Sequence, residues 1–170
     1  MTHRLFDVHA HLISDDPRRY PYAPLGGKLD ESVLADPMTA ERLLAEMPQC
    51  GVARAIVVQR AHVYGVDNSY VADAAAAHPD RFRALVLVNP LVEKAGAAAR
   101  RWIETRGAVG VRLTAPSQEC GLDWLSSPAA LGAWDAVAEL GASMRVHFYA
   151  WNRDAGLDAT LQLARRYRST

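Results

Sequence analysis

The segment Asp7-Val8-His9-Ala10-His11 places one carboxylate and two imidazoles at alternate positions. In an extended strand alternate side chains share a face, so Asp7, His9 and His11 are expected on one side and Phe6, Val8, Ala10 and Leu12 on the other. Two same-face histidines about 7 Å apart along a strand can ligate one metal ion. Asp7, one step deeper, is placed to accept a ring N–H and fix its tautomer. An isolated His-x-His is as easily a pair of polar core residues. What argues for chemistry here is its place, on the first strand of a series and directly before a long connection.

Two further residues invite chemistry by type and position. Arg112 lies at the end of the run Ala108–Leu113, on the face of Gly110 and Thr114. There it can clamp a substrate carboxylate through two parallel N–H bonds, or form an ion pair with a neighbouring helix. His147 shares a face with Ser143, Arg145 and Tyr149 in the run Ser143–Tyr149. His3 near the terminus, His62 in a loop and His78 at a helix end read as structural or solvated, the last suited to a helix C-terminus.

The elements that must position these groups alternate along the chain. Strands are predicted at Leu5–Leu12, Ala53–Gln59, Ala84–Val88, Ala108–Leu113 and Ser143–Tyr149. Between them run helical stripes. Ala40, Leu43, Leu44 and Met47 follow an N-cap at Thr39 and stop near Pro48. Val71, Ala74, Ala75 and His78 follow cap candidates Asp67 and Asn68. Ala95, Ala98, Ala99 and Trp102 run to Gly107. Leu131, Trp134 and Ala138 follow Ser127-Pro128 and end at Gly141. A fifth helix begins at Asp158. Five βα units in a row predict an α/β domain with a parallel sheet and right-handed crossovers. The stretch from Ile13 to about Pro37 has no periodicity and reads either as a lid beside the strand ends or as a loose insertion.

Composition narrows the class. At 170 residues one domain is expected, spanning 1–170. Lys plus Arg and Asp plus Glu both number 19, which argues against a nucleic-acid or anionic-membrane partner. Cys50 and Cys120 show no CxxC spacing, the N-terminus has no apolar signal region, and no apolar run reaches membrane length. A cytoplasmic protein acting on a small molecule is the expectation.

The Asp-x-His-x-His strand resembles the amidohydrolase superfamily, specifically its amidohydrolase-2 branch of lactonases and non-oxidative decarboxylases. The likeness continues through Arg19-Tyr20-Pro21-Tyr22-Ala23-Pro24, Val58-Gln59, Tyr64-Gly65-Val66-Asp67-Asn68, His78-Pro79-Asp80-Arg81-Phe82 and Gly107–Leu113. It implies a (β/α)8 TIM-barrel type fold, here truncated to about the first five βα units. It implies His9, His11 and His147 as ligands of one divalent metal, with zinc the first choice, or else a metal-free site. It also implies Gln59 and Tyr64 as substrate-binding groups beside Arg112, for a small lactone or other carboxylated carbonyl substrate. Asn68 is better read as a helix cap. Binuclear members use a carboxylated lysine on strand four. None stands in Ala108–Thr114, and Lys28 and Lys94 fall in a loop and at a helix start, so one metal or none is expected.

Family members carry a further histidine on strand six and an aspartate on strand eight that moves protons; with five strands, no residue here is assigned that role. Five parallel strands leave open edges and an apolar face that needs cover. A shortened gene product, a piece of a longer chain, and a chain completed by a second copy or a complementing partner all fit. Two functions compete accordingly: a hydrolase, and an inactive partial barrel or interaction module.

Overall fold

The computed structural model describes residues 5–29 and 31–168; His3 lies outside them. The chain divides after Val86 into two compact units.

The first unit opens with strand β1 (Leu5–Ala10). A 3-10 turn (Glu31–Leu34) interrupts the long connection, and helix α1 (Ala40–Glu46) follows, with Thr39 Oγ1 accepting the Arg42 N–H as expected of the cap. A second 3-10 turn (Met47–Cys50) carries Pro48 at its start and delivers the chain to β2 (Val52–Val58). Two helices not anticipated as separate elements, the single turn α2 (Ala61–Tyr64) and α3 (Ser69–Ala77), precede β3 (Phe82–Leu87). Strand β2 pairs in parallel with both β1 and β3. Ala55 and Val57 of β2 and Phe82 of β3 join Ala40, Val71 and Ala74 in one buried cluster, so this side of the sheet is the one the helices cover.

From Ile13 to Leu25 the connection after β1 is bonded to the rest of its unit rather than loose. Ile13 N–H donates to Met38 O (2.9 Å), Ala23 N–H to Val63 O (2.8 Å) and Leu25 N–H to Ala61 O (2.8 Å). Gly65 makes that approach work: its φ is +52°, and a Cβ there would lie 2.5 Å from the Ala23 carbonyl oxygen. Tyr20 is buried, and its hydroxyl donates to Asp73 Oδ2 at 2.8 Å. Burial, and then that carboxylate, push the Tyr20 phenol up to about 12.

The second unit contains α4 (Ala95–Arg106), β4 (Gly110–Thr114), a 3-10 turn (Gln118–Cys120), α5 (Asp123–Ser126), α6 (Pro128–Glu139), β5 (Ser143–His147) and α7 (Arg153–Arg166). Ser127 caps α6 as expected, its Oγ accepting the Ala130 N–H at 3.2 Å. Helix α7 begins five residues before the anticipated Asp158. The turn ahead of it is closed by two bonds, Tyr149 N–H to Asn152 Oδ1 (2.9 Å) and Asn152 N–H to Tyr149 O (3.2 Å). Strands β4 and β5 pair in parallel, with Arg112 opposite Arg145 and Thr114 opposite His147. No helix of the described residues is long and apolar enough to cross a membrane.

Candidate active site

Strand β1 does not keep a regular alternation. Asp7 pairs with Ala55, but Ala10 pairs with Val57, so three steps on β1 match two on β2. The extra residue is a β-bulge, and it inverts the side-chain parity across it. Asp7 therefore takes the side of Ala55, Val57 and Ala10, while His9 and His11 take the opposite one. This corrects the expectation of one face for all three. Asp7 does not orient an imidazole; its Oδ1 accepts the backbone N–H of His9 at 2.8 Å, which fastens the bulge.

The orienting acceptor is a backbone carbonyl. His11 Nδ1 lies 2.8 Å from Val58 O. A carbonyl only accepts, so Nδ1 carries a proton, and in the neutral ring Nε2 carries the lone pair. That Nε2 lies 3.3 Å from His9 Nε2, with the rings edge-on at 89°. Two nitrogens bound at 2.0–2.1 Å to one tetrahedral centre stand about 3.3–3.4 Å apart. The spacing of the pair matches two coordination positions of a single cation, and equally an N–H···N hydrogen bond from His9 to His11. Among the described residues no group of three or more His, Cys, Asp or Glu side chains is gathered closely enough to hold a metal.

His147 ends β5 in the second unit, half-buried, with Nδ1 3.1 Å from Thr114 Oγ1 and its ring edge-on to Tyr149 at 5.0 Å. A hydroxyl either donates or accepts, so Thr114 holds the ring without dictating its tautomer. Arg112 is 6% exposed, and its partner across the strands is another arginine.

Gln59 and Tyr64 follow β2 and are both buried. Gln59 Nε2 donates to Gly65 O (3.1 Å) and Asp67 O (2.5 Å), and its buried Oε1 has no hydrogen-bond partner among the described residues. Tyr64 Oη accepts the Ser14 N–H at 2.8 Å, and burial pushes the phenol up to about 12. Both thus hold connections that follow β1 and β2. Asn68 stands at the first position before α3, but its side chain does not cap the helix; Nδ2 donates to Val66 O at 3.0 Å. Asp67 bonds the Ser69 N–H instead, at 3.0 Å. Neither Lys28 nor Lys94 lies on a strand.

The amidohydrolase family model matches residues 6–167. The chain belongs to the amidohydrolase-2 family. No curated protein matches it. Among solved structures, this amidohydrolase is similar to a probable 2-pyrone-4,6-dicarboxylic acid hydrolase from Acinetobacter baumannii with citric acid bound, with a TM-score of 0.64 at 19% identity over 95% of this chain and 54% of that one. It is similar to a 5-carboxyvanillate decarboxylase from Novosphingobium aromaticivorans in complex with manganese and a nitrobenzoic acid, with a TM-score of 0.63 at 19% identity over 94% of this chain and 55% of that one. A third is 2,6-dihydroxybenzoate decarboxylase from Rhizobium, with a TM-score of 0.63 at 14% identity over 98% of this chain and 64% of that one. These likenesses establish the fold, α/β of the (β/α)8-barrel type with its first five βα units. The chain spans just over half the length of the first structures it matches.

Proposed function

We propose that this amidohydrolase takes part in hydrolysis of a small carboxylated lactone or related carbonyl compound, through one divalent ion. The observation that carries the reading is the His9–His11 pair, whose ring nitrogens stand 3.3 Å apart with the His11 tautomer set by Val58 O. When bound, such an ion supplies Lewis acidity and lowers the pKa of water. His147 is the third nitrogen by resemblance to the family, with zinc the first expectation.

The chain's own residues do the holding. The Asp7 carboxylate fixes the bulge that turns His9 to the side of His11. Val58 O keeps the His11 lone pair on Nε2. Arg112, buried beside Arg145, is proposed to bind the substrate carboxylate, since a planar guanidinium matches a carboxylate through two bonds. Gln59 and Tyr64 are proposed to border the substrate and fix the loops that shape its wall.

The test is turnover of a pyrone dicarboxylate lactone by protein loaded with zinc or manganese, alongside His9→Ala and His11→Ala. Loss of the lactone absorbance with the parent chain and none with either variant supports the reading. Equal rates in all three overturn it, and an inactive metal-loaded chain favours the partial barrel or interaction module.

Decarboxylation is the second reading. Two of the similar structures are decarboxylases of aromatic acids, one holding manganese. Release of carbon dioxide from a hydroxybenzoate under the same conditions separates it from hydrolysis.

A further inference from the structure

The end of the β1–β3 sheet opposite the histidines carries a cavity that the proposed reaction does not use. It encloses about 480 Å³ and is lined by Leu5, Phe6, Ala53, Arg54, Arg81, Phe82 and Arg83. That volume falls within the range of roughly 300–1,000 Å³ typical of small-molecule sites. Arg54 lies four residues before Val58, the carbonyl that orients His11, so about 13 Å of strand separates the two ends.

The register explains how the arginines come together. Phe6 pairs with Arg54, and Arg83 pairs with Ile56, two residues beyond Arg54 on the same face of β2. Phe6, Arg54 and Arg83 therefore project from one face, the one not covered by α1 and α3. Arg81 enters from the turn before β3, with its Nε held by Ala53 O at 2.8 Å. Arg83 donates to the carbonyls of Pro79 and Phe82.

Charge is what singles the cavity out. Three guanidiniums line it, and among the described residues no acidic side chain does. The bonds made by Arg81 and Arg83 go to uncharged carbonyls and a thioether, and neither arginine forms an ion pair among the described residues. Arg54 makes no hydrogen bond or ion pair among them; its like-charged neighbours repel it, and an anion would relieve that repulsion. The remaining wall is apolar, with Leu5 56% and Phe6 54% exposed. A cationic floor beside an exposed aromatic wall matches an anion carried on an apolar group, and forked guanidiniums match phosphate or carboxylate oxygens.

We infer that this cavity is a second ligand site, distinct from the histidine end, for a small phosphomonoester or carboxylate borne on an aromatic or other apolar group. Phenyl phosphate is the probe, titrated calorimetrically into the full chain, with inorganic phosphate, phenol and benzoate as comparisons. Phenyl phosphate is expected to bind saturably, at least tenfold more tightly than inorganic phosphate, while phenol gives no binding. Benzoate binding as tightly as phenyl phosphate assigns the carboxylate as the anion. Arg54→Gln, which breaks no bond of the fold, is expected to weaken binding at least tenfold, as is Phe6→Ser. The double variant His9→Ala/His11→Ala is expected to retain it, whatever the fate of catalysis. Absence of saturable binding by any anion, or unchanged affinity in Arg54→Gln, overturns the inference.

Discussion

Arg112 on β4 and Arg145 on β5 stand directly opposite each other in the parallel register, and Arg112 is almost wholly buried. Like charges across neighbouring strands repel, and taking one out of water adds to the cost. A carboxylated substrate reaching this pair would add an opposite charge to it. Arg112→Met is expected to keep the pairing of β4 with β5, which the backbone makes. The same change should weaken binding of a small polycarboxylate such as citrate at least tenfold, about 1.4 kcal/mol or more. Calorimetric titration and thermal melting check the pair of outcomes. A large fall in Tm with unchanged affinity would assign Arg112 to the fold alone.

The His9–His11 geometry makes a separate claim about metal. Replacing either histidine by Ala is expected to lower zinc affinity at least about a hundredfold, beyond the 10–100-fold that loss of an outer hydrogen-bonding partner costs. Asp7→Ala should act more weakly, because its carboxylate holds the bulge through the His9 N–H and touches no ring nitrogen. Competition with a chelator measures all three. Affinity should fall with decreasing pH in the parent chain, since only the unprotonated ring nitrogen ligates. Asp7→Ala as damaging as His11→Ala would place the carboxylate among the ligands.

The alkaline limit of stability can be argued from three of the chain's six tyrosines. Tyr20, Tyr64 and Tyr167 are each raised from 10.0 to about 12, first by burial, with Asp73 and Asp135 adding to it for Tyr20 and Tyr167. The folded chain then holds protons that the unfolded chain has released. Their contribution is whole below pH 10 and is lost as pH rises through about 12. Tyr64→Phe should flatten that loss, and at neutral pH cost about 1–3 kcal/mol by stranding the buried Ser14 N–H. Phenolate absorbance and urea melts against pH are the measurements.

How much of this was legible in the sequence differs by level. The five strands and the caps at Thr39 and Ser127 follow from apolar periodicity and local side-chain chemistry, which the sequence carries directly. The bulge does not, because it is a mismatch between β1 and β2, and neither strand reveals it alone. For the same reason the sequence pointed Asp7 at a ring N–H, whereas its carboxylate accepts the backbone N–H of His9. Val58 as the acceptor for His11 was invisible too, since a backbone carbonyl has no residue signature. The loop after β1 lacks periodicity because its order comes from scattered bonds to Met38, Ala61, Val63 and Tyr64. Single-turn α2 was too short to show a period of its own.

One pairing of glycines gives a test of packing independent of the site. Gly96 in the first turn of α4 and Gly132 in the interior of α6 meet backbone to backbone, which explains why both helices carry a residue that costs helix stability. The contact is asymmetric. A Cβ on Gly96 would lie 2.6 Å from Gly132 O, a rigid backbone atom, whereas a Cβ on Gly132 would lie 3.8 Å from Gly96, an ordinary contact. Gly96→Ala must push the helices apart, at an overpacking cost of about 1–3 kcal/mol. Gly132→Ala leaves the spacing intact and gains up to about 1 kcal/mol of helix propensity. The two variants are thus expected to move the urea midpoint in opposite directions, although each adds the same methyl group to the same interface. Equal shifts of the same sign would mean that α4 and α6 do not approach as closely as this contact requires.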